Sequence, residues 1–140
     1  LEPLARLLAT GDFDAVTVAS AMTDPAMVAD PNRVKVVRAQ DGRALYFSRA
    51  PIPHQRDTGE APPTAGGLPG LLHHGLYGYR AQTLERFTAL APSPLEQIEK
   101  LEQLRLLENG LSIGVEVVTA PGHGIDSPDD LAAFEASLNP

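Results

Sequence analysis

Apolar residues along this chain switch between two spacings, one suited to a helix and one to a strand. Leu4, Leu7 and Leu8 recur at helical spacing and Gly11 follows where a helix would close, which predicts a short N-terminal helix. Ala15 to Ala19 (AVTVA) is a short apolar, β-branched run of the kind buried on both faces, which predicts a central strand. Val34 to Val37 and Ala44 to Phe47 are two further β-prone runs, and the intervening Asp41-Gly42 favours the positive φ of a hairpin turn. Pro51 to Gly70 is rich in proline and glycine and lacks periodicity, so a long loop is expected there. Leu76 to Tyr79 resumes a strand and Ala81 to Leu90 a short helix. Ser93-Pro94-Leu95-Glu96 combines a capping box with proline at the first helical position, predicting one continuous helix from Pro94 to about Asn109, closed by Gly110. Ile113 to Val118 alternates as a strand does, and Ser127-Pro128 opens a last predicted helix. Strands and helices alternate with one inserted hairpin, which points to an α/β sheet layered with helices.

Composition narrows what such a sheet could serve. The 140 residues suit one domain or a large part of one, and 43% hydrophobic with 21% charged residues is ordinary for a packed core. A formal net charge of −7 argues against non-specific binding to nucleic acid or anionic lipid, which needs clustered Lys and Arg. The absence of cysteine excludes disulfides, thiolate catalysis and Cys-based zinc sites, and makes a cytoplasmic location the default expectation. No apolar run is long enough to span a bilayer, so no membrane partner is expected. The chain begins with Leu rather than Met, as a processed protein or a fragment would.

Three groups of residues admit a functional reading beside a structural one, which is an ion pair for Glu102, aromatic packing on an edge strand for HHGLYGYR and a turn or cap for Asp126. With a continuous helix from Pro94, Glu102 would fall between Leu95, Ile98 and Leu106 on the apolar face, where a carboxylate needs a donor such as Arg105. In HHGLYGYR, a strand would place His73, Gly75, Tyr77 and Tyr79 on one face, and Gly75 and Gly78 could mark the close approach of a ligand or another backbone. Adjacent histidines on a strand point to opposite faces, which argues against a His73–His74 zinc site. Asp126, in a glycine-flanked loop before a helix N-terminus, is either a turn or capping residue or an oxygen ligand for a hard cation such as Mg²⁺.

Four blocks in order, YFSRAPIP (Tyr46 to Pro53), HHGLYGYR (His73 to Arg80), PSPLEQIEKLEQLR (Pro92 to Arg105) and GIDSPDDL (Gly124 to Leu131), resemble the 3-deoxy-manno-octulosonate (Kdo) cytidylyltransferase family. The preceding DPNRVKVV (Asp30 to Val37) fits the same pattern. The resemblance covers nearly the whole chain. It implies the C-terminal part of a nucleotide-diphospho-sugar transferase-like, Rossmann-like three-layer α/β/α fold with an inserted β-hairpin. Residues 1–140 would then be the sugar-binding and dimerisation portion of a cytidylyltransferase domain. The implied reaction converts CTP and Kdo to CMP-Kdo and pyrophosphate for lipopolysaccharide synthesis, with Mg²⁺ required and a homodimer as the active form.

The same resemblance assigns roles by position. It implies that Asp126 coordinates Mg²⁺ at the chemistry. Arg49 would meet the acidic sugar, whose carboxylate suits a guanidinium fork, with Arg56 assisting. His73 and Tyr77 would line the sugar pocket, and Glu102 and Gln103 would bind sugar hydroxyls. His54-Gln55 and the proline-rich stretch to Gly70 depart from the family's pattern. The family's basic, glycine-containing nucleotide-binding motif and its QGDEP motif are not among these residues, so this chain alone is expected to be inactive. A cytidylyltransferase for a related acidic sugar and a non-catalytic sugar-binding or dimerisation piece are the alternative readings.

Overall fold

The structure, a computed structural model, describes residues 2–56 and 70–119. The described elements run in chain order from α1 (Glu2–Thr10), β1 (Ala15–Ala21) and α2 (Pro25–Ala29) to the strand pair β2 (Lys35–Arg38) and β3 (Ala44–Ser48). They continue with β4 (Leu71–Tyr79), α3 (Ala81–Ala89), α4 (Pro94–Glu99), α5 (Leu104–Glu108) and β5 (Ile113–Val117). One five-stranded sheet has the order β3-β2-β4-β1-β5. β1 runs parallel to β5 and antiparallel to β4, while β2 is antiparallel to both β3 and β4.

The apolar run of β1 behaves as expected of a central strand, because both of its faces are covered. Val16 and Val18 pack with Leu4 of α1, flanked by Leu7, Leu8 and Phe13. Ala15 and Ala19 face the opposite way, into a larger core with Phe47, Leu101, Leu104, Leu106, Leu111, Ile113 and Val115. Helical layers therefore lie on both sides of the sheet, each covering the apolar face its own leucines require. Phe13 packs so closely on Gly114 that any side chain there would collide with its ring, which explains a glycine inside β5.

The predicted hairpin is β2–β3, turning at Gly42 with φ +90°. Its tip does more than reverse the chain. The Gly42 carbonyl accepts from Val115 N at 2.8 Å and Arg38 Nη1 donates to the Val115 carbonyl at 3.0 Å. The hairpin thereby satisfies part of the outer edge of β5, which would otherwise be an open template for another strand.

Two expectations need correction. The helix from Pro94 is not continuous: α4 ends at Glu99, Lys100 takes a left-handed conformation (φ 55°, ψ 47°), and α5 begins only at Leu104. The helix starts where the capping signal put it, and Ser93 N donates to Glu96 Oε2 at 3.0 Å. The Ser93 hydroxyl, however, has no partner among the described residues, and Leu95 N and Glu96 N donate to Glu108 instead. No local rule marks the break at Lys100. The break turns Leu101 and Leu104 into the core and leaves Leu95 and Ile98 exposed. A short helix not anticipated, α2, opens on Asp24-Pro25, with Asp24 Oδ1 accepting from Ala26 N at 2.8 Å. The helix predicted from Ser127 lies outside the described residues, as does most of the loop predicted from Pro51 to Gly70.

Candidate functional site

Strand β4 carries the first part of the site. Its register against β1 shifts, so that Thr17 pairs with Tyr77 but Ala19 pairs with His73, leaving His74, Gly75 and Leu76 opposite Val18 alone. Despite this bulge, His73, Tyr77 and Tyr79 share one face, as alternation predicted. Their rings form a row with Phe47 and Phe87. Centroid separations are 4.9 Å from Phe47 to His73, 5.4 Å from His73 to Tyr77, 5.8 Å from Tyr77 to Tyr79 and 6.0 Å from Tyr79 to Phe87. His74 turns the other way, with Nε2 2.8 Å from Ser20 Oγ. Gly78 packs against Val16 and Leu8, whereas the position of a Cβ on Gly75 has nothing within 4 Å among the described residues, so no close approach is seen there.

Burial sets the chemistry of this face. It lowers the His73 pKa to about 4, with the nearby His74 adding to the effect, so His73 is neutral at physiological pH. Burial raises the Tyr77 hydroxyl well above its usual value, with Tyr79 and the negative charge of Glu102 contributing. Tyr79 is raised by the same two causes, burial and Glu102. The Tyr77 hydroxyl is buried yet has no hydrogen-bond partner among the described residues. A buried donor left unpaired in this way costs free energy until a ligand or water completes it.

Arg49, just past the end of β3, is the second part. Its Nε donates to the Glu99 carbonyl at 2.8 Å and its Nη1 to the Pro31 carbonyl at 3.0 Å. Its backbone N donates to Glu99 Oε2 at 3.0 Å, and the other Glu99 oxygen accepts from Ser48 Oγ at 2.6 Å and Tyr46 Oη at 3.4 Å. Burial alone would raise the Glu99 pKa, but these donors and the Arg49 charge outweigh it and hold the carboxyl below its usual range. Lys35 completes the frame from within the sheet. Fully buried, its Nζ donates to the carbonyls of Asp30 (2.9 Å), Arg33 (2.6 Å) and Arg49 (2.5 Å). The backbone on both sides of the Arg49 guanidinium is thus tied down, which pre-orients the fork.

The α4–α5 break supplies the third part and overturns the reasoning about Glu102. That carboxylate is exposed, not on a buried apolar face, and Arg105 pairs instead with Glu96. The pair is two-pronged, Nε to Oε2 at 2.7 Å and Nη2 to Oε1 at 2.5 Å, with the guanidinium also 4.8 Å from the Phe87 ring centroid. Hydrogen bonds from Arg105, opposed by burial and aided by Ser93, pull the Glu96 pKa down. This clasp fixes the short turn that presents Glu102 and buries Gln103.

The structure therefore brings His73 and Tyr77 into ring contact, with Glu102 near enough to act on Tyr77, and ties Arg49 to Glu99 at the end of α4. Arg56 is exposed and makes no contact with these residues that the structure records. Asp126 lies outside the described residues. Among the described residues no three acidic or histidine side chains converge on one position. An open groove lined by Arg43, Leu45, Leu107 and Leu111 lies apart from all of these side chains. The sequence did not single out Lys35, Glu99 and Thr17, and it marked Glu96 only as part of the capping box. Lys35 left a trace, as a charge inside the β-branched run RVKVV.

The described residues form an α/β sheet covered by helices, with neutral, hydrogen-bonding rings on one face and an arginine fixed against the end of α4. Comparison with known proteins identifies the family. A family model described as cytidylyltransferase matches residues 3–113, and the chain belongs to that family. It is 52% identical over 125 residues to the 3-deoxy-manno-octulosonate cytidylyltransferase of Acidobacterium capsulatum, an alignment covering 88% of this chain and 48% of that protein. Identity to the enzyme of the same name from Xylella fastidiosa is 46% over 142 residues, covering 99% of this chain and 54% of the relative. A solved CMP:2-keto-3-deoxy-manno-octonic acid synthetase complexed with CTP superposes with a TM-score of 0.83 at 36% identity, over 98% of this chain and 54% of that one. The fold is the nucleotidyltransferase-like α/β fold of that neighbour. The chain spans about half the length of the curated relatives it matches. Among the described residues no helix is long and apolar enough to cross a membrane.

Proposed function

We propose that this chain is the sugar-recognising portion of an enzyme that transfers a cytidylyl group from CTP to Kdo, giving CMP-Kdo and pyrophosphate. The observation that carries the reading is the His73–Tyr77 face with its buried, unpartnered Tyr77 hydroxyl, because a polyol needs neutral hydrogen-bonding groups that the protein leaves free for it. Similarity to proteins named for this activity supports it. Arg49 holds the sugar carboxylate, assisted by Arg56, while His73, Tyr77, Glu102 and Gln103 take the hydroxyls. In an in-line displacement at phosphorus these residues contribute position: they hold the attacking hydroxyl in line and exclude water. Asp126 is the proposed Mg²⁺ ligand, and the metal would neutralise charge at the α-phosphate. The active form is a homodimer, with 34–53 as the partner-facing region, and the location is cytoplasmic.

Pyrophosphate release dependent on CTP, Kdo and Mg²⁺ tests the reading, measured for the full-length protein, for the 140-residue chain and for Asp126→Ala. Activity in the full-length protein alone is expected, since the family's nucleotide-binding motif is not among these residues. If the full-length protein prefers another acidic sugar, the substrate assignment falls. An Asp126→Ala protein at full rate removes the metal-ligand assignment.

A further inference from the structure

We propose that Thr17 is a positioning residue: it fixes the tautomer of His73 and so gives the His73–Tyr77 face a set polarity, one acceptor and one donor that complement a single ligand hydroxyl. The inference rests on the sugar-binding reading above and deepens it.

Thr17 lies in β1, fully buried between Val16 and Val18, where valine would fill the same space and suit the strand equally well. What distinguishes threonine is the hydroxyl, and that hydroxyl has only one hydrogen to give. The β4 bulge brings the Leu76 carbonyl within 2.7 Å of Thr17 Oγ1. A carbonyl only accepts, so the Thr17 hydrogen is committed to Leu76. Toward His73 Nε2, 3.0 Å away, Thr17 Oγ1 can then serve only as acceptor. The proton of His73 must therefore sit on Nε2.

The neutral imidazole of His73 carries one ring proton, so Nδ1 is left bare. No described residue donates to it. Tyr77, whose ring centroid is 5.4 Å from that of His73, contributes a protonated hydroxyl that is buried and likewise unpartnered. A bare acceptor and an unused donor on adjacent rings match the two hydrogen-bonding capacities of an alcohol, which donates to Nδ1 and accepts from Tyr77 Oη. The opposite tautomer would set two donors beside each other and lose that match. Specificity in such a face comes from groups left unpaired when the ligand lacks the hydroxyl.

Long-range ¹H–¹⁵N spectra of the full-length protein labelled at histidine read the tautomer directly. Wild-type His73 is expected to be protonated at Nε2 and bare at Nδ1 at neutral pH. Thr17→Val should mix or reverse the tautomers and raise KM for Kdo about tenfold, with kcat and the KM for CTP within about twofold of wild type. Thr17→Ser, which keeps the hydroxyl, should restore both. A wild-type His73 protonated at Nδ1 overturns the proposal, and this is read without any variant having to fold. So does a Thr17→Val protein with wild-type tautomer and sugar KM. A full-length protein that does not use Kdo would remove the functional reading above, while the spectrum would still decide the role of Thr17.

Discussion

Single side chains in this site divide into those that hold the protein together and those that wait for something outside it. Tyr77 belongs to the second group, because its buried hydroxyl satisfies nothing in the described structure. Tyr77→Phe is therefore expected to leave stability within about 1 kcal/mol of wild type, or to raise it, while weakening sugar binding. Urea denaturation and KM measured on the same protein check the two halves. Lys35 belongs to the first group. Lys35→Met would strand three backbone carbonyls that now accept from Nζ and should cost on the order of 2–4 kcal/mol, seen as a lowered urea midpoint. Glu99 spans both groups, since it takes hydrogen bonds from Ser48 and Arg49 and so holds the arginine that the ligand would meet. Of these residues the sequence signalled Tyr77 by its crowded motif, but it offered no sign that Glu99 rather than Glu102 was the engaged carboxylate.

Elements in this protein are placed by local signals and shaped by the core. Asp41-Gly42, Ser93-Pro94 and the β-branched runs each produced the turn, helix start or strand that such residues favour. The left-handed Lys100 is the exception, and it matters because it interrupts the predicted helix and redirects Leu101 and Leu104 inward. A non-glycine residue in that conformation is strained by roughly 1 kcal/mol, so Lys100→Gly should stabilise the protein by up to about that amount in thermal or urea unfolding. Loss of stability would show instead that the Lys100 side chain has a role of its own. Helical-wheel reasoning about Glu102 failed for the same cause: it assumed one phase across a break that only tertiary packing imposes.

Across the whole molecule, protonation links the site to stability. The His73 pKa is lowered on folding, from 6.5 to about 4, so the unfolded chain binds this proton more readily than the folded one. The resulting stability is fully present above about pH 6.5 and is lost as pH falls toward 4, on the order of 3 kcal/mol in total. Burial would raise the Asp14 pKa, but hydrogen bonds from Ser112 N and Oγ, at 2.7 Å each, hold its carboxylate down. Glu96, Glu99 and Asp14 add a second loss at lower pH. Their folded values are depressed below the ordinary carboxylate range, so their contribution fades as pH falls through those lowered values. Urea midpoints measured from pH 7.5 to pH 3.5 should thus decline in two stages, and His73→Asn should flatten the upper one. An unchanged upper stage in His73→Asn would refute the buried, neutral state assigned to His73.

What the sequence determined by itself was local or contiguous: strand and helix type, the hairpin, the helix start at Ser93-Pro94, the aromatic face of β4 and the family resemblance carried by its motif blocks. Each depends on periodicity, on backbone preferences of one or two residues, or on residues adjacent in the chain. The tertiary structure decided everything that required distant segments to meet. The pairing of Arg105 with Glu96 rather than Glu102, the three carbonyls around Lys35, the hold of Glu99 on Arg49 and the hydroxyl of Thr17 against His73 join positions separated by up to 56 residues. Such partners are selected by which buried donor lacks an acceptor once the core has closed, and that condition has no counterpart in a linear pattern.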